Sequence, residues 1–115
     1  MRTEKVLQGI VTMMQTRPVQ MKFHWDDIKA ESNKLKHGLR FDFAVLVFSD
    51  PYRIEDQDTR RDYGEDRWKT VGKVEGDMLC VVYTVRDGDT IRIISGRYAN
   101  AKEKKQYSQA HPGSK

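Results

Sequence analysis

The sequence predicts an α+β fold in which two N-terminal helices pack on an antiparallel sheet of about four strands and a short helix closes the chain. Three observations carry that expectation. Capped helical patterns come first, over residues 27–37 and 41–48. Strand-like runs follow, joined by the turns Glu75-Gly76-Asp77 and Asp87-Gly88-Asp89. Those connections are too short for crossover helices, so successive strands must pair antiparallel. A chain of 115 residues suits one domain with a single modest core.

Residues 1–20 hold a short apolar stretch but no cap or turn that would dock it, which predicts a frayed or disordered extension, with Met21 a candidate second start. The single domain is expected over residues 21–108. Residues 22–25 alternate, with Phe23 and Trp25 on one side and Lys22 and His24 on the other, as in a strand. Asp26 is an N-cap residue, and Gly38 is the type favoured just past a helix end. Ile28, Ser32, Leu35 and Leu39 share one stripe of the first helix, which predicts that this narrow face is the buried one. His37 stands in the last turn, where its charge would suit the helix C-terminus; a catalytic role is the alternative.

Residues 41–48 form an apolar block ended by Asp50-Pro51 and read as a short buried helix rather than a strand. Residues 52–56 read as a first sheet strand and 57–64 as a polar loop. Three strands follow over 65–74, 78–86 and 90–98, the middle one apolar on both faces and therefore central. In the last, Ile91 and Ile93 point one way and Arg92 and Ile94 the other, before Gly96 interrupts the run. Asn100 then caps a helix with Glu103 three positions on, the capping-box spacing. Residues 109–115 read as a disordered tail.

The formal net charge is only +4, but its distribution is uneven. Residues 50–66 hold seven acids against three bases, whereas residues 92–115 hold six bases against Glu103. That asymmetry predicts a basic working face and an anionic partner, although solvated surface is the ordinary explanation of charge runs. Cys80 stands alone in an apolar run, so no disulfide framework exists and a reducing, cytoplasmic setting is expected. No apolar run approaches the roughly 20 residues of a membrane span.

Several chemistries lack a motif. There is no G-x-x-x-x-G-K-[ST], no G-x-G-x-x-G, no H-E-x-x-H and no paired C-x-x-C, and the histidines at 24, 37 and 111 have no ligand spacing. What remains is a set of arginines: Arg67, Arg86, Arg92 and Arg97. In an antiparallel meander the strands carrying Arg67 and Arg97 flank the central one, so the two guanidinium groups are expected to converge on one anion. Arginine suits that task because its planar fork binds phosphate oxygens in pairs and keeps its proton. Surface ion pairing is the ordinary alternative for each.

Five motifs in order carry a family resemblance. They are Phe23-His24-Trp25-Asp26-Asp27 with Lys29, Asn33 and Lys36-His37-Gly38 before Phe41, Phe48 with Asp50-Pro51, Glu65-Asp66-Arg67-Trp68 with Gly72, and Arg92 to Ala99 with Glu103 and Tyr107. Over residues 21–107 the chain resembles the BrnT family of type II toxin ribonucleases. Two departures stand out: residues 1–20 precede the usual start, and Gly96 stands where the family more often has alanine. The resemblance implies a RelE-like fold, RNA cleavage without a cofactor or metal, growth arrest, and neutralisation by a BrnA-like antitoxin. It implies a two-toxin, two-antitoxin complex that reaches DNA only through the antitoxin, with no membrane partner.

A ribonuclease of this kind must take a proton from the 2′-hydroxyl, stabilise the charge on a five-coordinate phosphorus and protonate the leaving 5′-oxygen. Arg67 and Arg97 are the candidates for charge stabilisation. Glu65 and His24 are candidate bases, with Tyr98 and Tyr107 as further ones. Glu103 is explained first as the capping-box acid. Lys102, Lys104 and Lys105, together with Arg92, Tyr98 and Tyr107, are expected to contact RNA, free or ribosome-associated, in a salt-sensitive way. The alternative function is a noncatalytic module that holds RNA or a protein by the same basic edge.

Overall fold

The computed structural model of the chain describes the backbone of residues 4–12 and 19–110 and the side chains of residues 21–110. In chain order the elements are β1 (Glu4–Thr12), β2 (Val19–Asp26), α1 (Asp27–His37), α2 (Phe41–Ala44) running on into a 3-10 turn (Val45–Ser49), β3 (Ile54–Gln57), β4 (Trp68–Val74), β5 (Asp77–Arg86), β6 (Thr90–Tyr98) and α3 (Ala101–Ala110). The whole expected N-terminal extension, residues 1–20, and residues 111–115 of the expected tail lie outside the described side chains, and residues 1–3, 13–18 and 111–115 lie outside the described residues altogether.

The strands β2 to β6 form a mixed sheet of order β2-β6-β5-β4-β3, which β1 extends beside β2. The run from β3 to β6 is an antiparallel meander, in which short turns demand the β4–β5 and β5–β6 pairings and the longer loop 58–67 joins β3 to β4. Glu75 and Gly76 take φ of 50° and 88°, the positive pair that lets a two-residue loop follow the strand twist. The expectation of an antiparallel sheet of about four strands needs correction, because β2 pairs parallel to β6 through Lys22↔Thr90, Phe23↔Ile91 and His24↔Arg92. Parallel partners need a long crossover, here everything between residues 26 and 90, and no turn motif reports a pairing across such a distance.

The expectation of two packed N-terminal helices is also corrected. Only α1 is a full helix; residues 41–49 make a single α turn that tightens to 3-10 geometry. Asp26 Oδ1 accepts the Ile28 N–H at 2.9 Å, and Gly38 ends α1 at φ 70° with its N–H on Lys34 O. The face α1 buries is not the apolar stripe. Ile28 and Leu35 are 63% and 84% exposed, and the buried residue of the helix is Asn33. Its amide donates to Gly96 O at 2.7 Å and Leu39 O at 3.0 Å and accepts Gly96 N–H at 3.1 Å. A polar clamp, with only Ala30 of the helix's apolar residues packed against the core, seats α1 on β6.

The main core lies between this helical layer and one sheet face, where Phe23, Trp25, Leu39, Phe41, Phe48, Leu79, Tyr83 and Ile93 meet. Each large side chain buried there contributes roughly 1.5–3 kcal/mol. Phe48 meets Tyr83 edge-on at 4.9 Å and Trp25 meets Phe41 the same way at 6.0 Å. A smaller cluster, Val71, Cys80, Ala99 and Tyr107, lies on the opposite face beneath α3.

One irregularity decides what that second face carries. Val82 pairs with Ser95 but Tyr83 with Ile93, so Ile94 is an extra residue bulging from β6. Side chains of directly paired residues share a face. Arg92 stands opposite Thr84 and Arg97 opposite Cys80, both even positions of β5, so the bulge brings two arginines five residues apart to one face. Strict alternation would have aimed Arg97 into the main core.

A candidate anion cleft

The face under α3 opens into a cleft of about 850 Å³. Its floor is Lys69 of β4, Cys80 and Val82 of β5, and Ser95 and Arg97 of β6. The end of β3 and the loop after it, the start of α3 and the last turn of α1 form the walls. Five cations, Lys36, Arg60, Lys69, Arg97 and Lys102, face three anions, Asp56, Asp58 and Glu103. A concave surface with that excess focuses a positive potential on whatever enters.

Glu103 organises the centre. Its carboxylate accepts a two-pronged pair from Arg97, Nη1 and Nη2 each at 2.8 Å, and Lys69 Nζ lies 3.3 Å away. It also closes the expected capping box: Asn100 N–H donates to Oε1 at 3.0 Å, and Asn100 Oδ1 accepts Glu103 N–H at 2.9 Å. Burial alone would raise this carboxyl, whose side chain is 4% exposed. The Arg97 fork, the Asn100 amide and Lys69 outweigh that and hold its pKa at about 2. Arg97 is pushed up in turn, chiefly by its hydrogen bonds to Glu103 and against its burial. Beneath them the Cys80 thiol donates to Glu103 Oε2 at 3.6 Å, and burial pushes it up to about 11, which keeps it protonated.

A second fork stands at the rim. Arg60 Nε and Nη2 donate to the two oxygens of Asp58 at 2.8 Å each, and the Tyr63 hydroxyl adds a bond at 3.2 Å. The Arg60 hydrogen bonds hold Asp58 well below the usual carboxylate range despite its burial. Arg60 lies close enough for its charge to oppose that of Arg97. Among the described residues no group of three or more His, Cys, Asp or Glu is placed to hold a metal ion.

Of the residues singled out from sequence, Arg97, Lys102, His37 and the capping acid Glu103 line this cleft. Arg67 does not line it. Its guanidinium stacks 4.1 Å over the Tyr63 ring while Nε donates to Glu65 Oε2 at 3.1 Å, and Glu65 also pairs with Arg86 at 3.6 Å. Lys69, two positions on, fills the place beside Arg97 that was expected of Arg67. Arg92 is buried with Nη1 2.9 Å from His24 Nε2, away from the cleft. Tyr107 is buried with its hydroxyl donating to Asp50 Oδ2 at 2.7 Å, so burial and that bond push its pKa up. Tyr98 is exposed beside Phe43 in a separate shallow depression, and Lys104 and Lys105 are exposed on α3. Lys69 and Arg60 were missed as site residues, with no local motif to report them, whereas His37, for which a catalytic role was the alternative, does line the cleft.

The family model for the ribonuclease toxin BrnT of type II toxin–antitoxin systems matches residues 25–103. Among solved structures, the crystal structure of the Brucella abortus ribonuclease toxin BrnT is similar, at 24% identity and a TM-score of 0.46, covering 66% of this chain and 92% of that one. No curated protein matches the chain. The family match runs from the end of β2 through α1 and β3 to β6 into the start of α3, and so reaches every element that builds the cleft: the chain belongs to the BrnT family of ribonuclease toxins of type II toxin–antitoxin systems.

Proposed function

We propose that the chain is a metal-independent endoribonuclease of the mRNA-interferase type that cleaves in the cleft under α3. The 2′-hydroxyl of the substrate attacks the adjacent phosphorus, and Arg97 with Lys69 stabilises the charge that gathers on the phosphoryl oxygens. The observation that carries this reading is the convergence of Arg97 and Lys69 on Glu103 inside a cationic cleft. A scissile phosphate offers the two cations oxygens of the same charge and spacing as the carboxylate they already hold. Cutting is held in check by the antitoxin partner that membership of a type II system implies. We take that partner to be BrnA-like, assembled as two toxins and two antitoxins, with DNA contacted only through it. We place the pair in the cytoplasm; no described helix is long and apolar enough to cross a membrane.

The test is cleavage of a defined RNA by the purified toxin in EDTA. Arg97→Ala is expected to lower the rate by roughly 10² to 10³, the usual loss for one such donor. RNA binding without cleavage under any condition would replace the enzyme with the binding-module reading.

A further inference from the structure

The proton acceptor for this reaction is not among the residues that hold the phosphate. Glu103 is committed to Arg97 and Lys69, and Asp58 to both prongs of Arg60. A carboxylate held near pKa 2 has little basicity left near neutral pH, and the thiol beneath it stays protonated. His24 is engaged with Arg92 outside the cleft. Of the wall groups left, Asp56 is an exposed carboxylate at the β3 edge, and His37, at the last turn of α1, is the one imidazole in the lining.

Its position is set by the fold. Asn33 clamps α1 to the backbone of Gly96, the residue before Arg97. His37 is one helical turn below Asn33 on the same stripe, so the clamp that seats the helix also presents the imidazole beside Arg97's strand. The ring is half-buried and takes part in no hydrogen bond or ion pair among the described residues.

Resting on the cleavage reading above, we propose that His37 is the general base that takes the 2′-hydroxyl proton of the RNA. As its ring nitrogen accepts that proton, the 2′-oxygen bonds to phosphorus and the bond from phosphorus to the 5′-oxygen breaks. The 5′-oxygen takes a proton from water, and the hydroxide so formed strips the added proton from the imidazolium. The products are a 2′,3′-cyclic phosphate end and a 5′-hydroxyl end, with no other reactant. The charged groups facing the ring are Lys36 on its own helix, Asp56, Asp58 and Arg60 from β3 and its loop, and Lys69, Arg97, Lys102 and Glu103 from the floor and α3. Their excess of positive charge draws the phosphate to the ring.

The experiment measures cleavage of a defined oligoribonucleotide between pH 5 and 8 by wild type, His37→Gln, His37→Asn and Arg97→Ala. RNA affinity and thermal unfolding are recorded for each. Wild type is expected to lose rate as the pH falls, because an imidazole must be neutral to act as a base. Both His37 variants are expected to lose roughly 10² to 10⁴ in rate, to keep RNA affinity within about threefold, and to lose the acid limb. If they cleave at the wild-type rate with the same acid limb while Arg97→Ala is inactive, His37 is not the base. If Arg97→Ala cleaves normally, the cleft is not the cleavage centre and the reading beneath fails. Recovery of cyclic-phosphate ends supports the step as written, and 3′-hydroxyl ends overturn it.

Discussion

Glu103 is the group whose removal tests the electrostatics of the cleft most directly. Glu103→Gln keeps the shape and an oxygen for the Asn100 N–H but withdraws the charge that Arg97 and Lys69 share. The native carboxyl is lowered from the ordinary 4.5 to about 2, and each unit corresponds to about 1.4 kcal/mol of differential interaction. Its side chain is 4% exposed, but Arg97 and Lys69 are 38% and 33% exposed, so water screens part of the attraction. The expected loss at pH 7 is therefore about 2–3 kcal/mol. Because the folded pKa lies below the unfolded one, the stabilisation is fully present above about pH 5 and is lost as the pH falls through 4.5 towards 2. Urea unfolding of wild type and variant at pH 7, 5, 4 and 3 reads this directly. The gap between the curves should be widest at pH 7 and should close steadily below pH 5. A gap at pH 7 under about 0.5 kcal/mol, or one that stays constant to pH 3, would refute the account of Glu103 as the charge that holds the site together.

Two further substitutions probe how the cleft is framed. Asn33→Ala removes the clamp on Gly96 and Leu39 and leaves their buried polar groups unmet, with an expected cost of about 3 kcal/mol in chemical denaturation; a cost below about 1 kcal/mol would show that α1 is seated by other contacts. Gly72→Ala places a Cβ 2.8 Å from Val47 Cγ2 and 3.1 Å from Arg53 Cβ, a clash in the packed layer. It should destabilise by about 1–3 kcal/mol, read as a lower unfolding temperature, and an unchanged midpoint would contradict that packing.

The site was only partly legible beforehand. Arg97 could be named because a basic residue after Gly96, next to a helix start, is a local pattern. Arg67 looked equivalent to it by strand counting, yet Tyr63 and Glu65 hold it at the mouth of the loop and Lys69 stands at the centre. The acid-rich loop also supplied an unforeseen rim, where Asp58 is buried by its own Arg60 fork.

Signals that act within a few residues were readable from the chain as written. Asp26 and Gly38 bound α1, Gly76 and Gly88 turn the hairpins, and Asn100 with Glu103 caps α3, because each satisfies or bends a backbone a few bonds away. The parallel pairing of β2 with β6, the bulge at Ile94 and the burial of Asn33 in place of Leu35 arose only when distant segments met. An extra residue inverts the two-fold alternation that follows it, and a polar side chain can seat a helix as firmly as an apolar one when a strand offers both its N–H and its C=O. Periodicity in one segment carries no record of either event.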